Sequence, residues 1–450
     1  MERREFYQKL FERAKEAGFS ACEVYYAAGS SFSATVVGGE ITDYSAADAR
    51  GLGFRGLIDG KMGYASSQAL DDEAIELLVE GARENAALIE CADEQFLFAG
   101  AKHYAEVDNF NPEVDTVSVA EKLELCRSLE TLAAGADARL RPEAESTVFS
   151  ESDNVEIVNT LGLDVHHHFN LIGGAVQPVA NENGRASSGY ALFYGNDPAK
   201  IDAEKTALEA AKEAVDGLSA ESVPSGAYRV LLRNDVAAQM LGTFAGVFSA
   251  DLAQKGLSLL RGREGERVAA ECVTIIDDPH LPGQPSSTPF DGEGVPTFRK
   301  EIVSAGMLKT LLHNLKTAKK QGVSTTANAV RAGYSSPVGV APANLFIQPS
   351  NLSFEDMLDV LGDGLLITDL QGWHAGADVV SGDFSLPARG YRIEGGRITG
   401  SVNQITLAGN FFSLLKDIEA VGGDLKFPVP SAVAFGSPSL LLPALSVAGK

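Results

Sequence analysis

The sequence predicts an α+β protein with an N-terminal helix and antiparallel-sheet domain at 1–220 and a C-terminal β-rich domain at 227–450. Two observations carry this prediction. Strand-like segments in the first part are separated by glycine turns and flanked by amphipathic helices, whereas the second part has short helices, frequent glycine and many short strands. Between them, residues 219–226 (SAESVPSG) are small, polar and marked by Pro and Gly, which is typical of a linker.

The first unit begins with a helix whose apolar residues, Phe6, Leu10, Phe11 and Ala14, recur at helical spacing before Gly18. Alternating strand-like segments follow, separated by turns at Gly38-Gly39 and Asp59-Gly60, which predicts successive antiparallel hairpins. The segments are Ala21–Tyr26, Ser33–Val37, Glu40–Ala46 and Gly51–Leu57. Asp71 then caps a second predicted helix.

The same order recurs after a polar stretch. Ser118 and Glu121 form a capping box that opens a helix. Asp197-Pro198 supplies an N-cap and an N1 proline for a long helix that reaches about Leu218. The strand-like segments between these helices are Ser146–Phe149, Val155–Val158, Asp164–Phe169 and Gly173–Val179. We therefore expect an internal duplication, in which two helix–hairpins–helix units share one sheet.

The C-terminal domain is expected to form a curled sheet or a partial barrel. Its predicted helices are short, around 234–249, 310–321 and 353–361, and short strands dominate from Leu365 to Leu407. Frequent glycines there allow the bulges and corners that a curled sheet needs.

Charge and composition narrow the function classes. The 450 residues carry 37 Lys+Arg against 61 Asp+Glu, a formal net charge of −24, which disfavours binding to nucleic acid or to an anionic membrane. The sequence has no transmembrane run, and its charged N-terminus does not resemble a signal peptide. Four separated cysteines without a CxxC pair favour buried thiols and a reducing, cytoplasmic location.

Motifs for self-sufficient catalysis are scarce. None of the seven histidines is followed by Glu, so the chain carries no zincin motif. His166, His167 and His168 are the only histidine cluster; on a strand, His166 and His168 share a face with Asp164 and could share a metal, or form a polar strand face at a cleft. There is no GxSxG elbow, Walker A loop or Rossmann fingerprint. Gly51 and Gly53 are expected to serve a bulge.

The stretch 372–410 is the most distinctive part of the chain. It reads as short strands joined by tight glycine turns, and 381–385 (SGDFS) could offer backbone donors and acceptors to an extended peptide by strand addition. A hairpin stack with solvated polar faces is the alternative.

Three long, ordered segments resemble the TldD/PmbA family, formerly called modulators of DNA gyrase. They are GGEITDYSAADARGLGFRGLIDGKMGYASSQ (38–68), STPFDGEGVPTFRKEIVSAGML (287–308), which contains the family's FD-x-EG turn, and GDFS…ARGYRIEGGRI…ITLAGN (382–410). The resemblance covers nearly the whole chain.

The family has two kinds of subunit, and the resemblance distinguishes them. TldD-type subunits carry a helical HExxxH and a later cysteine that together hold zinc. The matching positions here run from Leu241 through Gly242, Thr243, Phe244 and Ala245 to Gly246, and Cys272 comes too early to match the zinc-binding cysteine. The chain therefore resembles the PmbA/TldE-type subunit, so no catalytic or metal-binding residue is assigned to it.

The resemblance implies a cytosolic zinc metallopeptidase complex that degrades or matures unfolded peptides, with zinc in a TldD-type partner and no cofactor in this chain. Extended peptide is the implied substrate, and a homodimer is plausible when the chain is alone. The residues expected to wall the peptide cleft are Gly382, Asp383, Phe384, Ser385, Gly409 and Asn410.

Two alternatives stay open at this point. One is a self-sufficient hydrolase that uses a site around His166–His168 or at His374 and Asp378. The other is a regulator of a DNA-gyrase-related protein.

Overall fold

The computed structural model describes residues 1–90 and 93–450; Cys91, one of the four cysteines, lies outside these ranges. The first half contains five helices and eight strands in the described ranges. In chain order they are α1 Arg3–Glu16, β1 Ala21–Val37, β2 Glu40–Ile58, β3 Lys61–Ser67, α2 Asp72–Leu88, α3 Pro112–Thr116, α4 Val119–Gly135, β4 Glu145–Asn159, β5 Asp164–Gln177, β6 Val179–Glu182, β7 Arg185–Ser188, β8 Ala191–Gly195 and α5 Ala203–Gly217.

The predicted pair of helix–hairpins–helix units shares a single sheet. Its strand order is β3-β2-β1-β4-β5-β8, so each unit supplies three strands and the two units meet where β1 pairs antiparallel with β4. One face of the first unit packs on α1 and α2, and one face of the second packs on α4 and α5. The division into domains at 1–220 and 227–450 stays a prediction.

The strands are longer than the sequence pattern indicated. The four segments predicted between Ala21 and Leu57 are two continuous strands, β1 and β2, and the four between Ser146 and Val179 are largely β4 and β5. The small residues at Ala27–Ser31 interrupt the apolar alternation, but β1 is bonded on both sides there, to β2 and to β4. Central position in the sheet thus maintains a strand that the local pattern does not signal.

Two local predictions are wrong. Asp197 caps only a 3₁₀ turn at Pro198–Lys200, and the long helix begins at Ala203 with Asp202 as its cap. Gly51 and Gly53 make no bulge, because β2 keeps its register with β1 and β3 there. They leave room for Tyr334: a Cβ at Gly53 would lie 2.0 Å from the Tyr334 carbonyl oxygen.

The first part of β2 forms a free sheet edge. Residues 52–58 of β2 pair with β3, whereas residues 40–51 pair with β1 alone, and the side chains of 40–50 are all exposed. Near the hairpin, Thr35 lies opposite Asp43 and Val36 opposite Ile41, so Thr42 is an extra residue in β2.

The second half contains six helices and thirteen strands in the described ranges. They are β9 Gly226–Leu232, α6 Asn234–Phe244, α7 Ala250–Gln254, β10 Ile275–Asp277, β11 Lys300–Ser304, β12 Met307–Leu308, α8 Leu315–Gln321, β13 Ala329–Val330, β14 Gly339–Val340, β15 Asn344–Ile347, α9 Phe354–Leu361, β16 Gly364–Leu370, α10 Trp373–Gly376, β17 Asp383–Glu394, β18 Arg397–Asn410, α11 Phe411–Asp417, β19 Ala420–Val421, β20 Ala434–Gly436 and β21 Leu440–Ala448.

The predicted curled sheet or partial barrel is a closed five-stranded barrel. Its order is β18-β17-β16-β9-β21, and pairing of β18 with β21 closes the ring. Contrary to the expectation that short strands dominate from Leu365 to Leu407, β17 and β18 form a hairpin with 12 and 14 residues per strand. A second sheet, β12-β11-β10-β15-β20, packs beside the barrel and shares its apolar core.

A buried ionic network joins the two halves. Arg55 of β2 donates to Glu23 of β1 at 2.7 Å and lies 3.4 Å from Glu293, which belongs to the FD-x-EG turn of the second half. Arg331 of the second half donates to the same Glu23 at 2.7 Å. Burial opposes the charge of Arg55, but Glu23 and then Glu293 raise its pKa. The network therefore couples sheet strands to a distant turn.

No helix in residues 1–90 and 93–450 has the length and apolar character needed to cross a lipid bilayer.

Substitution of Arg55 is expected to destabilise the fold. Arg55→Met leaves the buried Glu293 carboxylate without its arginine, which should lower the free energy of unfolding by about 3 kcal/mol. The matched control is Arg83→Met, which removes an exposed pair with Glu80 on α2 and should cost less than about 1 kcal/mol. Chemical denaturation of both variants checks this, and equal costs would contradict it.

Candidate functional site

Helix α6 and the 3₁₀ turn that follows it contain the six positions, 241–246, that the resemblance aligns with the zinc motif. The helix follows β9 directly, and its buried side chains, among them Val236, Met240 and Leu241, pack into the large core of the second half. The helix gives way to a 3₁₀ turn at Ala245–Phe248. Leu241, Phe244 and Ala245 are buried, whereas Gly242 and Thr243 lie partly exposed on the other side.

The side chains at these positions do not fit a zinc site. The resemblance aligns Leu241, Gly242 and Gly246 with the first histidine, the glutamate and the second histidine of the motif, and none of the three side chains offers a nitrogen, sulfur or carboxylate ligand. Within the ranges that the structure describes, no group of three or more His, Cys, Asp or Glu side chains could hold a metal ion. We derive no catalytic step through a metal in this chain.

A groove runs beside α6, between the two halves. We call it the seam groove; its volume is about 540 Å³. Helix α6 contributes Gln239, Gly242 and Thr243, and β8 and the residue before it contribute another wall. Its lining residues are Tyr190, Ala191, Leu192, Glu213, Arg233, Asp235, Val236, Ala238, Gln239, Gly242, Thr243, Thr368, Asp369, Arg389, Lys426, Pro428, Val429, Ser431, Val433 and Phe435. A smaller cavity of about 260 Å³ shares Glu213, Thr368 and Arg389 with it, so the groove continues along the seam.

Ion pairs between arginines and carboxylates line part of the groove. Arg233 contacts Asp235 at 2.8 Å and Glu213 at 2.5 Å, and it also donates to the Thr368 carbonyl oxygen. Burial opposes its charge, but the carboxylates of Asp235 and Glu213 raise its pKa. Arg389 pairs with Asp369 at 3.0 Å. The lining carboxylates and cations are equal in number, so the groove is neutral in a chain of net charge −24.

Strand β8 brings a free edge to the groove. Ala191–Gly195 pair with Ile172–Val176 of β5 on one side. No backbone group of the described residues bonds to the other side of β8, and its first residues line the groove. The unpaired backbone groups at the start of β8 therefore lie beside the groove.

The six predicted cleft residues lie at one end of the barrel. Asp383, Phe384 and Ser385 pair with Asn410, Gly409 and Ala408 across the β17–β18 hairpin. On its other side Phe384 bridges to Ala377, and Gly382 accepts from the Phe411 backbone N–H. The edges that strand addition would use are thus bonded within the chain. Whether these residues contact a peptide stays a prediction.

Phe384 connects this segment to α6. Its ring lies 6.5 Å from that of Phe244, and Phe244 stacks on Phe411 at 4.6 Å. Gly409 lies against Phe384, because a Cβ there would be 2.9 Å from its ring. The predicted cleft segment therefore supports the buried side of α6, while Gln239 and Thr243 of the same helix face the seam groove.

Sequence reasoning missed the seam groove. Its charged residues come from five separated segments, represented by Glu213, Arg233, Asp369, Arg389 and Lys426. No spacing rule links them, because the seam forms only when the two halves pack. The one available signal was the resemblance that pointed to α6.

Comparison with known proteins matches this architecture along the chain. Residues 225–449 match the family model described as the PmbA/TldA metallopeptidase C-terminal domain, residues 22–86 match domain 1, and residues 112–218 match the central domain. The chain belongs to the PmbA/TldD family.

Relatives within the PmbA/TldD family include the metalloprotease PmbA of Escherichia coli O157:H7, 29% identical over 89% of this chain and 86% of that protein. A Thermotoga maritima protein described as a modulator of a DNA gyrase has a similar structure, with a TM-score of 0.91, 34% identity, and coverage of 99% of this chain and 100% of that one. TldE from Thermococcus kodakarensis shares the fold with a TM-score of 0.89, at 22% identity over 99% of this chain and 100% of that one.

The histidine cluster does not converge on one point. His166 is exposed, His167 is largely buried with Nε2 3.1 Å from the Ser287 carbonyl oxygen, and His168 stacks on Phe110. Asp164, the predicted companion, pairs with Arg4. The second histidine alternative is equally dispersed: His374 is exposed on α10, and the Asp378 carboxylate accepts backbone N–H groups of the following turn.

His167 instead lines a smaller cavity between the N-terminal sheet and the FD-x-EG turn. The cavity has a volume of about 160 Å³ and also contains Tyr25, Asp291 and Arg331. Burial, and then the neighbouring Glu293, raise the pKa of Asp291 to about 7. Burial also lowers the pKa of His167 to about 4. Its neutral ring donates to the Ser287 carbonyl oxygen and so joins the two halves.

The neutral state of His167 predicts a pH-dependent contribution to stability. The unfolded chain protonates this histidine below about pH 6.5, but the folded chain does so only near pH 4, so its contribution is full above pH 6.5 and is lost as the pH falls. His167→Gln removes this dependence. The difference in unfolding free energy between wild type and variant should shrink by about 1 kcal/mol from about pH 7.5 to about pH 5.5.

Denaturant titration at both pH values measures this difference. Asp291 titrates in the same range with the opposite sign, but it is present in both proteins and cancels in the comparison. Parallel pH profiles of the two proteins would contradict the buried, neutral state of His167.

Proposed function

We propose that this chain is the zinc-free subunit of a two-subunit metallopeptidase that degrades or matures unfolded peptides, with the zinc in a TldD-type partner. The proposal rests on one observation. This chain belongs to the PmbA/TldD metallopeptidase family, but it has leucine and glycines at the positions that the resemblance aligns with the zinc motif. A peptidase of this kind needs the ligands from another polypeptide.

A subunit without zinc contributes through its shape. It bounds the cleft and excludes folded proteins when the partner closes over it. The rigid support of α6 by Phe384 and Phe411 suits such a wall. In this proposal the segment formed by Gly382–Ser385, Gly409 and Asn410 supports the buried side of α6, and α6 forms the wall of the cleft.

We propose a cytoplasmic location for the complex. Cys22 and Cys126 are buried and Cys272 is exposed, and all three are free thiols. Burial raises the pKa of the Cys22 thiol to about 12, which makes it unreactive. Free thiols are typical of a reducing compartment.

Isolation from the source cell tests the proposal. The tagged chain is expected to co-purify with a TldD-type subunit, and zinc analysis of the separated subunits is expected to find the metal in the partner. An unfolded peptide should be cleaved by the complex and not by this chain alone. Removal of zinc by a chelator should abolish cleavage.

Zinc-dependent cleavage by the purified chain alone would contradict the proposal and favour a self-sufficient hydrolase. Variants His166→Ala and His168→Ala serve as the control for that alternative, since they should leave cleavage by the complex unchanged. Co-purification of a gyrase-related protein in place of a TldD-type subunit would favour the regulator alternative.

A further inference from the structure

We propose that the seam groove binds an extended segment of peptide, which adds to the free edge of β8 as one more strand. This inference rests on the proposed function, because it names the place where this subunit holds the peptide. Peptide binding itself requires neither zinc nor a partner subunit. It is therefore testable on the isolated chain.

Strand β8 provides the backbone partners. Its inner side pairs with β5, and the outer side of Ala191–Gly195 has no backbone partner among the described residues. Every second residue of such an edge directs its N–H and C=O outward. A peptide in extended conformation can bond to these groups, whereas a folded protein has already paired its own.

The opposite wall lies close enough to enclose a peptide. The Tyr194 hydroxyl of β8 donates to the Phe427 carbonyl oxygen at 3.1 Å, which holds the segment 426–433 beside the strand. Tyr190 on one wall is 50% exposed and Val429 on the other is 59% exposed. Large apolar side chains exposed in a groove are typical of a binding site. Alternate side chains of an extended peptide would cover them.

The charges of the groove indicate the class of peptide. Glu213, Asp235 and Asp369 are paired with Arg233 or Arg389, so each of these carboxylates already has a cationic partner within the chain. A neutral groove in an acidic molecule neither repels acidic peptides nor selects basic ones. We infer that the ligand is an unfolded segment with uncharged, apolar side chains at alternate positions.

The β17–β18 hairpin is the competing location, and the structure favours β8. Phe384 is bonded to Gly409 on one side and to Ala377 on the other, so a peptide could add there only by displacing Ala377. At β8 no backbone pairing of the described residues has to break.

Binding of a fluorescein-labelled peptide of alternating valine and serine, followed by fluorescence anisotropy, tests the inference. Val429→Asp places a charge in the groove and should weaken binding about tenfold. The matched control is Val360→Asp, at a 47% exposed site on α9, which should leave binding unchanged. Circular dichroism checks that both variants fold.

Two further peptides test strand addition itself. N-methylation of every second amide blocks either the groups that face β8 or those that face away, so one methylated peptide should lose binding and the peptide methylated in the other phase should keep it. Equal affinity of the two would overturn strand addition, and an unchanged affinity of Val429→Asp would overturn the groove. Absence of binding, in a chain that still forms an active complex with a zinc-containing partner, would overturn this inference and leave the proposed function in place.

Discussion

The structure depends on a small set of charges that are shielded from water. Glu23 accepts from Arg55 and from Arg331, and these two arginines come from opposite halves of the chain. Buried carboxylates and guanidinium groups are tolerated only when they are paired, so the two halves cannot shift relative to each other without exposing an uncompensated charge. The seam groove lies between the same two halves.

The FD-x-EG turn acquires a physical meaning from this network. Asp291 accepts the backbone N–H groups of Glu293 and Val295, which shapes the turn, and its other oxygen accepts from Ala329. The turn in that shape aims Glu293 at Arg55. The motif that marks the family therefore positions one half on the other, at a distance from α6.

Helix α6 is packed closely by its neighbours. Close packing explains its small residues: a Cβ at Gly242 would lie 2.8 Å from the ring of Phe435. Phe244 on the opposite side stacks on Phe411 of α11 and lies against Phe384 of the barrel. The helix is thus fully occupied by packing on one side and open to the groove on the other.

Local patterns predicted the α+β class, the two N-terminal units and a curved β-rich second half, because turns, caps and alternation are local. Strand continuity escaped prediction, since Ala27–Ser31 of β1 are held by neighbours on both sides rather than by their own pattern. The role of Gly53 also escaped, because Tyr334 lies far away in sequence. The seam groove had no local signal at all. The resemblance to the family pointed to α6, but only the structure shows that β8 lies beside this helix.

The open half of β2 has a consequence for how the molecule behaves in a crowded cell. An unprotected edge of eleven exposed residues is a template on which identical chains could stack. The extra residue Thr42 twists this sheet edge, and Asp43 and Asp48 place negative charge along it. Two copies that approach each other along this edge therefore repel each other. The exposed edge of β2 thus does not start aggregation.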